Sequence, residues 1–406
     1  MTQEAAMTLR IRSGTLAITT LLLLGPVGCG TRDAGSEGGT ESDADLTDLV
    51  ALPYLSWTDE SADPTQLGVT VHDNERAWSG INLYTNDVNE AYLLDMSGRR
   101  LHTWTLPDQF DHCEHFEVLP RGQILAVCAP QALVKLDWDS NILWINDISA
   151  HHDLDLLPDG SMLVPFGEPL RDFNGRQVGF DGVAHISETG ETLNRWSAFE
   201  NLEELHRYYP KIKLDSPPPA DSKPEKPFDY FHLNTVEVLP ETPLGMTDPR
   251  FRAGNVMLCL RNVHTIVILD QDDWSVVWSW GYGDLSFPHM PTMLDSGNLL
   301  IYDNGVRNKQ TRVIELDPVS GEIVWSYPSP PRRDFYSMRR GSNQRLPNGN
   351  TLICESEKGH VIEVTPDGDT VWEFWNPELK GKQRKRIYRF KRMSEDHVRR
   401  LVRGTR

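Results

Sequence analysis

The chain has 406 residues, 59 acidic against 40 Lys and Arg, and a formal net charge of −19, a balance that excludes the DNA or RNA backbone as a partner. Its 30 Gly, 27 Pro and 12 Trp describe short strands, tight turns and recurring aromatic anchors and exclude a mainly helical protein. The length suits one large repetitive all-β body.

At the N-terminus, Arg10 and Arg12 precede an apolar run from Leu16 to Leu24 that ends in Gly25-Pro26-Val27-Gly28-Cys29. This order predicts a secretory signal over 1–28, with an apolar stretch too short to span a bilayer by itself. Gly28 before Cys29 resembles a bacterial lipoprotein signal, in which Cys29 is acylated after cleavage and becomes a lipid anchor. The alternative is an ordinary signal with a chance cysteine. Removing Arg10, Arg12 and Glu4 with the signal changes the net charge from −19 to −20. Residues 29–50, rich in Gly, Ser, Thr, Asp and Glu, read as a flexible tether. The expected location is a bacterial cell envelope, periplasmic or surface-exposed.

The body, 51–406, carries an internal repeat. A turn followed by an apolar strand ending at Trp recurs as Met96-Ser97-Gly98 to Trp104, Trp138-Asp139-Ser140 to Trp144, Glu188-Thr189-Gly190 to Trp196, Gln271-Asp272-Asp273 to Trp278, Val319-Ser320-Gly321 to Trp325, and Pro366-Asp367-Gly368 to Trp372. Successive tryptophans are 40, 52, 82, 47 and 47 residues apart, one repeat per interval apart from an insertion at 200–231. Hairpin chemistry such as Leu119-Pro120-Arg121-Gly122, Leu157-Pro158-Asp159-Gly160 and Leu346-Pro347-Asn348-Gly349 precedes the later tryptophans. One unit reads as strands near 114–119, 123–128, 131–137 and 141–146.

These repeats predict a six-bladed β-propeller with four-stranded blades; seven blades or a sandwich explain the count less well. The first blade has three strand candidates, in 81–85, 90–95 and 99–104, but no inner strand. The C-terminal segment Tyr388-Arg389-Phe390-Lys391-Arg392 is expected to supply it and so remove both open edges. The basic residues around it read as a solvated surface, or as a membrane-headgroup patch. Cys113 and Cys128 are placed to meet across a hairpin, but Cys128, Cys259 and Cys354 also suit small buried fillers at matching strand positions.

Histidines recur where the chain enters an inner strand: His112 and His115, His151 and His152, His232, and His289. Taken singly, each is more often a packed hydrogen-bonding residue. Their recurrence at one mouth points to metal binding, with Asp111, Asp153 and Asp155 nearby, or to anion chemistry. In the second case imidazole acts as nucleophile or acid and base while a guanidinium holds tetrahedral oxygens. Arg261 is the best-placed guanidinium, followed by Arg339 and Arg340, although each equally suits a surface or inter-blade ion pair.

The stretches His151-His152-Asp153-Leu154-Asp155-Leu156-Leu157-Pro158-Asp159-Gly160, His232-Leu233-Asn234-Thr235-Val236 with Arg261 after it, and His289 ahead of Asp295-Ser296-Gly297-Asn298-Leu299-Leu300-Ile301-Tyr302-Asp303-Asn304-Gly305 resemble the bacterial arylsulfate sulfotransferase family. The likeness runs over about 66–395. It implies transfer of a sulfuryl group from a small phenolic sulfate to a phenol acceptor by a ping-pong route through a sulfated histidine, without nucleotide, cofactor or metal. By motif His289 is the nucleophile, and His152, His232 and Arg261 grip the sulfate. His151, His115, Arg339 and Arg340 are further substrate-binding candidates, and the doublet leaves His151 and His152 open by one residue. The family's N-terminal dimerisation domain has no counterpart here, so the oligomeric state stays open. Sulfate-ester hydrolysis, a non-catalytic propeller binding a glycan or protein, and a metal-dependent enzyme remain the alternatives.

Overall fold

Turn-closing hydrogen bonds such as Leu119 N to Gln123 O and Leu157 N to Ser161 O fold the repeated hairpins back on themselves. The computed structural model describes residues 57–58, 61–86, 88–110, 112–129, 132–212, 214, 227–330 and 334–405. The signal, Cys29, the tether and Asp111 lie outside the described residues, as does most of the segment between Tyr208 and Pro227. Among the described residues no helix is long and apolar enough to cross a membrane.

The protein is all-β and antiparallel in its main sheets. Among the described residues, five four-stranded sheets and one five-stranded sheet follow one another along the chain. The second sheet shows the pattern: Cys113–Val118, Ile124–Cys128, Ala132–Leu136 and Ile142–Asn146 pair in that order. Its middle strands are buried along their whole length, because both faces meet neighbouring sheets, whereas Ile142–Asn146 is largely exposed. Apolar clusters fill the gaps between consecutive sheets. Leu125 and Val127 pack with Met162 and Val164, and Met257 and Ile266 with Leu299 and Ile314. Tyr84 and Tyr92 of the first sheet share a cluster with Leu352, Val361 and Trp372 of the last.

The repeated tryptophans have a common task. Each indole N–H donates to a turn carbonyl of the following sheet: Trp104 to Gly122, Trp144 to Glu188, Trp278 to Pro318 and Trp325 to Pro366. Trp372 donates to Met96 O at 3.0 Å and so ties the last sheet to the first. Trp196, which precedes the insertion, is the exception, with no hydrogen bond on its buried Nε1 among the described residues; it stacks near Trp274 instead.

Arg389–Met393 pairs antiparallel with Ile81–Thr85, Ile81 opposite Met393, and supplies the inner strand that the first sheet lacked. The basic C-terminal segment is only in part the solvated surface expected of it: Lys380, Lys382, Arg399, Arg400 and Arg403 are exposed, but three of its arginines are not. Arg384, Arg386 and Arg392 are among the most buried large side chains, and the Arg392 guanidinium pairs with Glu363 where neither side chain is exposed. Two other features were not anticipated. Gly68–His72 adds a fifth strand to the last sheet. Arg171–Phe173, Arg176–Gly179 and Phe228–Asp229 form a small separate sheet, which anchors the end of the insertion beside His232. Cys113 and Cys128 face each other across their hairpin and form a disulfide, while Cys259 and Cys354 are buried free thiols.

Candidate active site

The histidines reach one mouth because the inner strands break register there. Pairing with the second strand shifts between Cys113 and His115, between Leu233 and Thr235, and between His289 and Thr292. Such bulges re-aim side chains. The backbone adds a second turn: His152 and His232 adopt left-handed conformations at φ 65 and φ 51, and Phe287 and Met290 on either side of His289 do so at φ 58 and φ 46. Left-handed backbone costs about 1–2 kcal/mol for most side chains, so the packing around this mouth sustains a local cost that a plain hairpin would avoid.

Three of the expected residues come together. His152 Nε2 lies 2.9 Å from His232 Nε2, and both side chains are buried. Asp229 fixes His232 from behind, its carboxylate accepting the backbone N–H at 3.1 Å and Nδ1 at 2.5 Å. His151 completes the row, with Nδ1 3.0 Å from His152 Nδ1 and Nε2 3.1 Å from Asp181 Oδ1. Both members of the doublet therefore belong to the site. Glu114 lies beneath, Oε2 accepting the His152 backbone N–H and standing 3.4 Å from His152 Nδ1.

His289 is oriented separately. Its Nδ1 donates to Asn304 Oδ1 at 2.7 Å, and the Asn304 amide is fixed by the carbonyls of Ser337 and Arg340. Its Nε2 has no hydrogen-bond partner among the described residues. Arg261 packs over the Phe287 ring, 4.7 Å from its centroid, and donates to Asn262 Oδ1. His264 Nδ1 accepts the Phe287 N–H at 3.1 Å, which holds the bend leading into His289; burial pushes the His264 imidazole down to about 3, so it stays a neutral acceptor.

Electrostatics separate the roles. Burial, reinforced by the Arg261 charge, holds His289 well below the usual imidazole value and keeps it neutral. Burial also lowers His152, with His232, His151 and His289 adding to the effect against the pull of Glu114. Asp229 is held below the usual carboxylate range in spite of burial, by His232 first and then by His151 and Arg261. A neutral imidazole with one nitrogen anchored and the other exposed to a guanidinium's field is suited to attack an anionic ester.

The weaker candidates divide. Arg340 stacks over Tyr388 at 5.1 Å and its charge reaches Glu114, which places it at the border of the cluster. Arg339 is buried, and its Nε and Nη1 make no hydrogen bond among the described residues; nothing brings it to the histidines. His115 is a correction. It faces away from the cluster, its Nδ1 2.6 Å from Arg389 Nη1, in a cavity of about 880 Å³ that also takes in Asp153, Asp155 and Glu237. Asp153 and Asp155 cap backbone N–H groups of Val236 and Val238 on the next inner strand, so their task there is structural. Among the described residues no group of three or more His, Cys, Asp or Glu side chains is arranged to hold a metal ion. A second cavity, about 420 Å³, opens on His112, Glu114, His151, His152, Asp229 and His232.

Sequence reasoning missed Asn304, Asp229, Asp181 and His264. Asn304 stood only inside the stretch that resembles the family, with no role of its own, and Asp229 lies in an insertion with no repeat to compare. Its one signal was the short step to His232.

A solved protein of unknown function from Bacteroides caccae is 15% identical, covers 78% of this chain and 100% of its own, and superposes with a TM-score of 0.51. A β-propeller domain from Myceliophteria thermophila is 10% identical over 78% of this chain and 88% of its own, with a TM-score of 0.43. A virginiamycin B lyase from Staphylococcus aureus is 14% identical over 66% and 72%, with a TM-score of 0.36. No curated protein matches the sequence. The model of the family described as arylsulfotransferase (ASST) matches residues 115–377, a span that holds His152, His232, Arg261 and His289. The chain belongs to the arylsulfotransferase family, whose general reaction is sulfuryl transfer.

Proposed function

We propose that the protein is a six-bladed propeller enzyme that moves a sulfuryl group from an aryl sulfate to a phenol acceptor through a sulfohistidine at His289. The observation that carries this reading is the state of His289: neutral, buried, anchored by Asn304 through Nδ1, and held within the electrostatic reach of Arg261. In the first half-reaction Nε2 bonds to sulfur as the sulfur–aryloxy bond breaks, and the phenolate departs. In the second, the acceptor oxygen bonds to sulfur, its proton leaves, and the nitrogen–sulfur bond breaks. Arg261, His152 and His232 bind the three remaining sulfate oxygens, and are worth most where charge builds on them. The circuit of sheets tied by Trp372 to Met96 supports the propeller architecture.

The domain plan proposed with it is a signal at 1–28, a lipid on Cys29, a tether at 29–50 and the propeller at 51–406, placing the enzyme on a bacterial envelope where small phenolic sulfates diffuse in.

Incubating the purified propeller with 4-nitrophenyl sulfate and phenol, with no nucleotide added, is the direct test. Release of nitrophenolate together with phenyl sulfate is expected. Nitrophenolate with inorganic sulfate at every phenol concentration would replace the transferase with a hydrolase. A folded protein inert toward a broad donor and acceptor panel would overturn the reading.

A further inference from the structure

We propose that Asp181, His151, His152, His232 and Asp229 form a proton relay that takes up one proton when a sulfate ester parts the His152–His232 contact and hands it to the departing phenolate. The proposal rests on the sulfuryl-transfer reading given above.

The argument is a proton count. The row contains four contacts: Asp181 Oδ1 to His151 Nε2 at 3.1 Å, His151 Nδ1 to His152 Nδ1 at 3.0 Å, His152 Nε2 to His232 Nε2 at 2.9 Å, and His232 Nδ1 to Asp229 Oδ2 at 2.5 Å. Three of these are hydrogen bonds; at the fourth, His151 Nε2 lies at ion-pair distance from the Asp181 carboxylate without hydrogen-bond geometry, where a bare lone pair would oppose the anion, so each of the four needs one proton between its atoms. Three neutral imidazoles carry one N–H each, one fewer than the four contacts require. The unliganded row between two carboxylates therefore holds one imidazolium, and its protons can shift in either direction without any ring turning.

The extra proton rests at the His151 end. Burial works against charge on His151, but Asp181, with Glu114 and Asp229 behind it, raises its value above that of an ordinary imidazole. His152 is driven the other way by burial. The other charged groups around the row are His112, which lies 3.4 Å from Glu114, and Arg340, whose charge acts on Glu114; Arg261 and His289 close the far side.

A sulfate ester changes the count. To bind its oxygens, His152 Nε2 and His232 Nε2 must both point N–H groups at the ligand instead of sharing one proton. His232 then carries N–H on both nitrogens, since Asp229 keeps the other, and His151 keeps its own charge beside Asp181. The row has gained one proton, which arrives through the cavity of about 420 Å³ that opens on His151, His152 and Asp229. When the sulfur–aryloxy bond breaks, the Nε2–H nearest the ester oxygen passes its proton to the phenolate, and the row returns to one imidazolium. The acceptor phenol gives its proton back to the row as its oxygen attacks sulfur, so a full cycle neither consumes nor releases protons. His151 and Asp181 touch no substrate atom; they are positioning residues that set where the proton rests.

The test uses the His289→Ala protein, which binds donor without turning it over. Calorimetric titration with 4-nitrophenyl sulfate at pH 7.5, in two buffers of different ionisation enthalpy, is expected to show uptake of close to one proton per ligand. In the otherwise native enzyme, His151→Gln and Asp181→Asn should lower kcat about 10²-fold for a donor with a poorly acidic phenol, as loss of general acid catalysis does, but only a few-fold for 4-nitrophenyl sulfate, whose phenolate needs no proton. Asp181→Asn retains an acceptor for the Leu233 N–H, which guards against loss of folding. Binding without proton uptake, or equal losses for both donors, would overturn the relay and leave sulfuryl transfer standing. Failure of any aryl sulfate to bind would overturn both.

Discussion

His152 Nε2 and His232 Nε2 stand 2.9 Å apart although the residues are 80 positions apart in sequence. They come from neighbouring sheets, and both have left-handed backbone. Because they share one contact, the contributions proposed for them in donor binding should be coupled. Single His152→Ala and His232→Ala changes are each expected to lower kcat/KM about 10²-fold, and the double change by clearly less than the product of the two. Steady-state kinetics on the four proteins measure the coupling, and strict additivity would show that the pair does not act as a unit.

Asn304 holds His289 Nδ1–H at 2.7 Å, so the Asn304→Ala ring loses its fixed orientation and kcat should fall about 10²-fold with little change in KM. Asn304→Asp tests the electrostatics. In the native enzyme His289 is held well below the usual imidazole value, first by burial and then by Arg261, so the neutral form persists through mildly acid pH. A carboxylate on Nδ1 favours the imidazolium and raises that value. The acid limb of the kcat profile should therefore move to higher pH in Asn304→Asp, and an unmoved limb would remove His289 from the nucleophile's role.

Arg392 and Glu363 form an ion pair with no exposed surface on either side chain. Glu363→Gln leaves a buried guanidinium without its countercharge, at an expected cost of about 3 kcal/mol in unfolding free energy. Replacing both partners with apolar residues of similar size should recover much of it. Urea denaturation followed by tryptophan fluorescence reads both, and an unchanged midpoint for Glu363→Gln would show that the pair carries little.

Burial lifts the Asp155 carboxyl to about 6, and its neighbours Asp153 and Glu117 push in the same direction against Lys391. A carboxyl whose folded value exceeds its unfolded value of 3.8 binds its proton more tightly when folded. Its stabilising effect is thus complete below the unfolded value and is lost as pH rises through about 6. Asp155→Asn keeps an acceptor for the Val238 N–H and abolishes that loss. The variant should be more stable than the native protein by about 1 kcal/mol at pH 7, after allowance for partial exposure, with the gain shrinking toward pH 4. A pH-independent difference would count against the buried carboxyl.

The repeat was legible because turn chemistry and Trp spacing are local. The inner strand predicted near 114–119 is observed at Cys113–Val118, and the one sought near 388–392 at Arg389–Met393. The residues of the mouth were legible as residue types, but their directions were not. A register shift of one residue moves a side chain to the other face, which is why His115 and His152 part company although both lead into inner strands. Asp229 and Asn304 were hidden for a different reason. Their work is to hold an imidazole that lies in another hairpin or across a loop, and no local pattern marks such a pairing. The burial of Arg384, Arg386 and Arg392 was equally hidden, because a cluster of cations reads as surface until the carboxylates and carbonyls that receive it are known.

Ile81–Thr85 finds its inner partner only in Arg389–Met393, and every other large sheet lies between them in the chain. During synthesis the first-made sheet therefore waits, one edge unpaired, until the remaining five have emerged. No partly made chain can complete the circuit, and Tyr388, which stacks beneath Arg340 and faces His152, reaches the mouth with that final strand. The completion of the mouth is thereby timed: its imidazoles are given their full surroundings only when the protein has finished folding around them.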